Sequence, residues 1–108
     1  MSSILDIERG ITTEWLKENG WLKTLSFTRD RNPWWTKTIN GLSSNGGTRN
    51  IVFAYNDESM VIHHMKGFPY PEMNVADTLD IEMFIKIQLK NYRPIQYLGR
   101  TYLMERGC

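Results

Sequence analysis

Two adjacent imidazoles, His63 and His64, are the first residues of this chain suited to acid–base or metal chemistry. They lie in Met60-Val-Ile-His-His-Met-Lys66, whose β-branched and apolar residues predict a strand. Neighbouring side chains on a strand point to opposite faces, so the two rings do not converge on one ion. A metal site would need Asp57, Glu58 or Glu72 folded against one ring, and neither His-x-His nor His-Glu-x-x-His spacing is present. The expected role of both histidines is structural or at the surface. The alternative is a small hydrolase or ligand-binding domain centred on His63 or His64.

A second cluster mixes charge with aromatic rings. Arg29-Asp-Arg-Asn-Pro-Trp-Trp-Thr-Lys37 interleaves the residue types that single-stranded nucleic-acid sites use for phosphate contact and base stacking. No acid occurs between Arg31 and Asn56, while Arg31, Lys37 and Arg49 add positive charge. On a strand Trp34 and Trp35 face opposite ways, one into the core and the other outward, where tryptophan is typical of interface hot spots. The candidate binding residues are therefore Arg29, Arg31, Trp34, Trp35 and Lys37, joined by Phe68 and Tyr70 of the Gly67-Phe-Pro-Tyr-Pro71 loop. A protein surface and single-stranded nucleic acid both suit such a set.

The remaining candidates are weaker. Residues 72–82 hold four carboxylates and no base, with Asp77 and Asp80 adjacent on a helix as a candidate acid–base or divalent-ion pair. Capping and the helix dipole explain the same residues without chemistry. Gly41, Gly46 and Gly47 are not followed by the lysine and Ser/Thr of a phosphate loop. Neither a nucleophile elbow nor a triad is legible. The single cysteine, Cys108, allows no intrachain disulfide, only an intermolecular one on oxidation. No catalytic residue, cofactor or metal ligand is assigned.

Composition bounds what these residues belong to. The chain's 108 residues suit one domain spanning 1–108, and 41% apolar with 23% charged residues is ordinary globular usage. A net charge of +1 gives no global argument for nucleic acid or an acidic membrane. No apolar run approaches the roughly 18 residues of a membrane span. Acids interrupt the opening Met1-Ser-Ser-Ile-Leu-Asp-Ile-Glu-Arg, unlike a signal peptide, so a cytoplasmic protein without membrane contact is expected.

The elements that must position the candidates follow from spacing. Thr12 or Thr13 caps a helix over about 13–19, and Asn19-Gly20 ends it in a left-handed turn. Strands are predicted over 21–28, 34–39, 49–55 and 60–66, the last two as a hairpin through Asn56-Asp-Glu-Ser59. Asn40-Gly41 reads as a turn and residues 43–47 as a loop. Asn74 or Asp77 caps a second helix over about 77–90, with Leu79, Met83 and Ile87 on one stripe, Phe84 beside it, and Ile81, Ile85 and Leu89 widening the face. Segments 95–98 and 101–104 flank Gly99-Arg100 as a hairpin with glycine first. The fold class is α+β: an antiparallel sheet of about four to six strands covered by the 77–90 helix, with the short helix at an edge. Leu16, Trp21, Phe27, Ile51, Phe53, Ile62, Leu79, Met83 and Ile87 are expected in the core.

The opening Thr-x-Glu-Trp-Leu-x-x-Asn-Gly-Trp, residues 12–21, with a strand-rich middle and a late helix, resembles short α+β proteins of bacterial phages and mobile elements. Those share a Trp-Leu…Asn-Gly-aromatic opening. The resemblance implies a small accessory factor of phage origin and transfers no catalytic residues. Together with the missing catalytic motifs and the aromatic load, it leads to a non-enzymatic protein-binding factor, an anti-CRISPR-like inhibitor of a host defence system. Its expected partner is a host protein or a protein–nucleic-acid complex. A single-stranded nucleic-acid binder and the histidine-centred domain are the alternatives.

Overall fold

Thr12 begins the first helix as an N-cap: its Oγ1 accepts the Trp15 N–H at 3.0 Å, and α1 runs over Thr13–Glu18. Gly20, at φ +85°, reverses the chain behind Asn19 and delivers Trp21 into the interior beside Leu16. The computed structural model describes residues 10–24, 32–43 and 45–106. The strand expected over 21–28 is seen as β1 (Trp21–Lys23), and Phe27 lies outside the described residues.

Aromatic and β-branched residues form the next strands where their alternation predicts them. These are β2 (Trp34–Ile39), β4 (Ile51–Asn56) and β5 (Val61–His64). Asn56 closes the β4–β5 hairpin, its Oδ1 accepting the N–H groups of Glu58 and Ser59 at 2.9 Å each. A strand the sequence did not signal, β6 (Glu72–Asn74), pairs with β5 inside the stretch read as acidic. The result is an antiparallel five-stranded sheet in the order β1-β2-β4-β5-β6.

Asn40-Gly41 is not a turn. The chain leaves the first sheet there and continues as β3 (Gly41–Leu42), which pairs in parallel with β8 (Arg100–Glu105) of a second sheet. Glycine is required by close approach: a Cβ on Gly41 would lie 2.2 Å from the Arg49 carbonyl oxygen, while the Arg49 N–H donates to the Gly41 carbonyl at 2.8 Å. In the second sheet, of order β3-β8-β7, β7 (Tyr92–Tyr97) is antiparallel to β8. Tyr97 pairs with Arg100, so the hairpin turn is Leu98-Gly99 and glycine comes second, not first. Both residues have positive φ, 52° and 78°, the mirror-image turn that suits strand twist. Pro94 is tolerated because β7 is an edge strand.

The second helix, α2 (Thr78–Gln88), is capped by Asp77, whose Oδ1 accepts the Asp80 N–H at 2.9 Å. Asp80 reaches back to accept the Ala76 N–H at 2.8 Å. The orientation of α2 corrects the expected core. Leu79, Met83 and Ile87 stand about half exposed, while Thr78, Ile81 and Phe84 are buried. Both stripes have helical spacing. The sheet decides between them: Phe84 meets Phe53 edge-on at 6.2 Å between ring centroids, and Gln88 Oε1 lies 3.0 Å from His64 Nδ1. Thr78 and Gln88 disguise the inward stripe by making its ends polar. Leu16, Trp21, Trp35, Ile51, Phe53, Tyr55, Ile62, Val75, Ile81 and Phe84 form the core, so five expected members stand as read. Among the described residues no helix is long and apolar enough to cross a membrane.

Two measurements check this packing. Phe84→Ala is expected to lower unfolding stability by about 3–5 kcal/mol, against no more than about 1 kcal/mol for Leu79→Ala, in urea titrations. The opposite ranking would place the other stripe inside. Burial, reinforced by the nearby Asp57 carboxylate, raises the Tyr55 phenol above its ordinary pKa of 10.0. The folded state then holds a proton that the unfolded chain releases, so stability is full below about pH 10 and falls as pH rises towards the folded value. Tyr55→Phe should flatten that alkaline fall in denaturation midpoints followed against pH.

Candidate functional site

Strand parity places the candidate residues on two different faces of the five-stranded sheet. Trp35 and Lys37 point to the core side, while Trp34, Thr36 and Thr38 point outward. Across the register, Thr36 lies beside Ala54, and Ala54 beside His63. Ala54 is the smallest side chain of this outer row. Above this row lies an open depression, a hollow of about 350 Å³ lined by Thr24, Trp34, Thr36, Ala54, His63, Met65 and Tyr70.

The walls are aromatic. The rings of Trp34 and His63 are 5.7 Å apart, inclined at 45°. Tyr70 meets Phe68 edge-on at 5.8 Å, and Phe68 is 89% exposed at the tip of its loop. Leu22, next to Thr36 on β1, is 71% exposed. Trp34 is held by the chain before it: its N–H donates to Asn32 Oδ1 at 3.1 Å, and Asn32 Nδ2 donates to Thr24 Oγ1 at 2.7 Å. That tie joins the end of β1 to the start of β2 and fixes one wall of the hollow. Among the described residues, none of the lining side chains is a lysine, arginine or carboxylate. Beside the hollow, the Glu72 Oε1 lies 3.7 Å from His63 Nδ1.

The structure brings Trp34, Phe68 and Tyr70 to one surface and separates the other candidates from it. Trp35 is corrected from binding surface to core: it is 3% exposed, and its Nε1–H donates to Asp57 Oδ2 at 3.0 Å. Lys23 completes that lock, pairing with Asp57 at 3.1 Å and lying 4.7 Å above the Trp35 ring. Lys37 also leaves the set, because its Nζ donates to the Asn19 carbonyl at the end of α1. Arg29 and Arg31 lie outside the described residues. Thr36, Ala54 and Met65 are lining residues that residue type did not reveal. The signal was present in strand parity, which puts them on the face of Trp34.

The two histidines part as parity requires. His63 faces the hollow, whereas His64 is buried, stacked on Phe53 at 4.7 Å and bonded to Gln88. Among the described residues, no group of three His, Cys, Asp or Glu side chains is placed to hold a metal ion. Asp77 and Asp80 are committed to capping α2.

A second, smaller cleft of about 150 Å³ lies where the two sheets meet, lined in part by Arg49, His64, Tyr92 and Met104. At its lip Lys66 Nζ pairs with Glu105 at 2.6 Å and sits 5.3 Å over the Tyr92 ring. The Glu105 hydrogen bond raises the Lys66 ammonium above its ordinary pKa against the opposing effect of burial, with Tyr92 adding to the rise. Its cation is therefore engaged within the fold. Comparison with protein-family models, curated proteins and solved structures finds no match to this chain.

The division between the two tryptophans has a direct consequence. Trp34→Ala is expected to change unfolding stability by no more than about 1 kcal/mol, whereas Trp35→Ala removes a core ring at about 3–5 kcal/mol. Urea titration of both variants checks the assignment, and equal losses would refute it.

Proposed function

We propose that this chain is a non-enzymatic protein-binding accessory factor and that the hollow on the outer face of its five-stranded sheet is the docking surface. The observation that carries the reading is the hollow itself: about 350 Å³, walled by Trp34, His63 and Tyr70 and, among the described residues, lined by no lysine, arginine or carboxylate. A partly exposed tryptophan beside an apolar depression is the arrangement in which a partner's apolar side chain gains most from desolvation. Phe68 and Leu22 extend the apolar surface beyond the rim. Single-stranded nucleic acid would stack on the same rings, but its phosphates need cations, and the described lining supplies none.

The resemblance of residues 12–21 supports the finer part of the proposal. On that reading the factor is encoded by a phage or mobile element and acts in the host cytoplasm. Its target is a protein, or a protein–nucleic-acid complex, of a host defence system, which it inhibits by occupation and not by turnover.

The test uses tagged wild type, Trp34→Ala and Ala54→Leu in captures from host lysate, with and without nuclease. Ala54→Leu fills the hollow while keeping every wall residue. The expected result is a stoichiometric protein that survives nuclease and is lost from both variants. With the purified pair, affinity should fall at least about tenfold in each variant. It should change little between about 50 and about 200 mM salt. Undiminished binding by Ala54→Leu would overturn the site, and a steep salt loss or nuclease sensitivity would overturn the protein partner.

A further inference from the structure

The cleft where the two sheets meet holds a buried imidazole with one nitrogen unpartnered. Phe53 and His64 are register partners on the inward face, and the same parity carried past the strand ends reaches Ile51, Arg49 and Lys66. Arg49, Ile51, His64 and Lys66 all line the cleft. His64 is 3% exposed, and its Nδ1 lies 3.0 Å from Gln88 Oε1. An amide oxygen only accepts, so Nδ1 carries the proton of the neutral ring and Nε2 presents a lone pair. No described residue bonds Nε2, and among the described residues no fully buried side-chain nitrogen or oxygen lacks a partner. Nε2 is therefore the ring nitrogen that meets open space, and the space His64 lines is this cleft.

The charges around that nitrogen do not cancel. Among the described lining residues Arg49 and Lys66 are cations, and Glu105 is the one carboxylate. Lys66 holds Glu105 at 2.6 Å, whereas the Arg49 guanidinium pairs with no described side chain. One positive charge is left over. The cleft measures about 150 Å³, below the roughly 300 Å³ at which pockets begin to hold drug-sized ligands. Such a space suits a small anion. Both side chains of the Lys66–Glu105 pair are exposed, and a pair of that kind parts at little cost, so it does not bar entry.

We propose that this cleft binds a phosphate group, as inorganic phosphate or as the head of a small phosphate monoester, between the Arg49 guanidinium and His64 Nε2. Arg49 offers a planar fork that matches two phosphate oxygens. Nε2 selects among anions. Against a carboxylate or sulfate oxygen its lone pair meets another lone pair. A phosphate group keeps a hydroxyl that titrates near neutrality, with a second pKa of about 6, and that hydroxyl donates to Nε2. The complex then shares one proton between ring and phosphate. Gln88 is a positioning residue that fixes the tautomer, and Phe53, stacked at 4.7 Å, holds the ring plane. Around the ring stand Arg49 before β4, Lys66 after β5, Tyr92 of β7, Glu105 of β8 and the neutral Gln88 of α2. Of these side-chain types only imidazole ordinarily titrates between about pH 6 and about pH 8. Among the described residues this cleft and the outer hollow share Met65 alone, so the two sites are separate.

Isothermal titration calorimetry of the full chain with inorganic phosphate is the first measurement, repeated with methyl phosphate and with sulfate, which has no proton to give. At about pH 6.5 phosphate is expected to bind with a Kd below about 1 mM, and sulfate at least about tenfold more weakly. Tighter binding of methyl phosphate would mark a monoester as the ligand, and tighter binding of inorganic phosphate the free ion. Binding takes up a proton at higher pH, so affinity should fall about tenfold by about pH 8. Arg49→Gln should weaken phosphate at least about tenfold with an unchanged urea midpoint. Replacing the core ring of His64 would test stability as well as binding, so nitrogen-15 NMR follows the wild-type ring instead. The Nε2 resonance should move on phosphate addition, while Nδ1 keeps the signature of its bond to Gln88. No phosphate binding, sulfate bound as tightly as phosphate, an affinity indifferent to pH, a stationary Nε2, or full affinity in Arg49→Gln would each overturn the proposal.

Discussion

Phe53 is fully buried, and the two layers of the molecule are fixed against its ring. It stacks on His64 within the sheet and receives Phe84 of α2 edge-on. Because it stands on the central strand, its inward direction sets that of every second residue on β4 and, through the register, of β2 and β5. Ile51 and Tyr55 must then go inward as well, and Val52, Ala54 and Asn56 outward. A one-residue slip would exchange the core for the hollow. Inward aromatic bulk on β4 is thus the constraint from which both the packing of α2 and the position of Ala54 follow.

The same constraint explains why the outer face is open. The sheet has one helix across it, and α2 covers the side that carries Phe53 and His64. Nothing comparable covers the other side among the described residues, where the Phe68–Tyr70 segment reaches only one edge of the hollow. An antiparallel sheet tolerates such exposure when its outer residues are polar, as Thr36, Thr38 and Asn56 are. Trp34, Met65, Phe68 and Leu22 depart from that rule on one connected surface, which distinguishes a binding face from ordinary apolar exposure.

The second sheet extends the fold without adding to this face. Gly41 lets the chain pass against Arg49 and carry β2 across into β3, and the cleft left at that junction is small and closed at its lip by the Lys66–Glu105 pair. Among the described residues, exposed apolar side chains thus gather on the outer sheet face and on the outer stripe of α2.

Much of this is written in local pattern. Thr12 and Asn19-Gly20 bound α1, alternation places β2, β4 and β5, and Asp77 starts α2, because caps, turns and two-residue periods depend on near neighbours in the chain. The opposite facing of Trp34 from Trp35, and of His63 from His64, follows from the same local geometry. What only the tertiary structure decided is which face turns inward. Leu79-Met83-Ile87 and Ile81-Phe84 are equally good helical stripes, and the choice fell to Phe53 and His64, which stand on strands earlier in the chain. Gly41 looked like a turn because its reason for being glycine, the Arg49 carbonyl, arrives from a different segment. Likewise, Ala54 comes to line a hollow only because β2 and β5 pair with β4 on either side and bring Trp34 and His63 to its face. Period is a property of the chain alone, whereas facing is settled by what stands opposite.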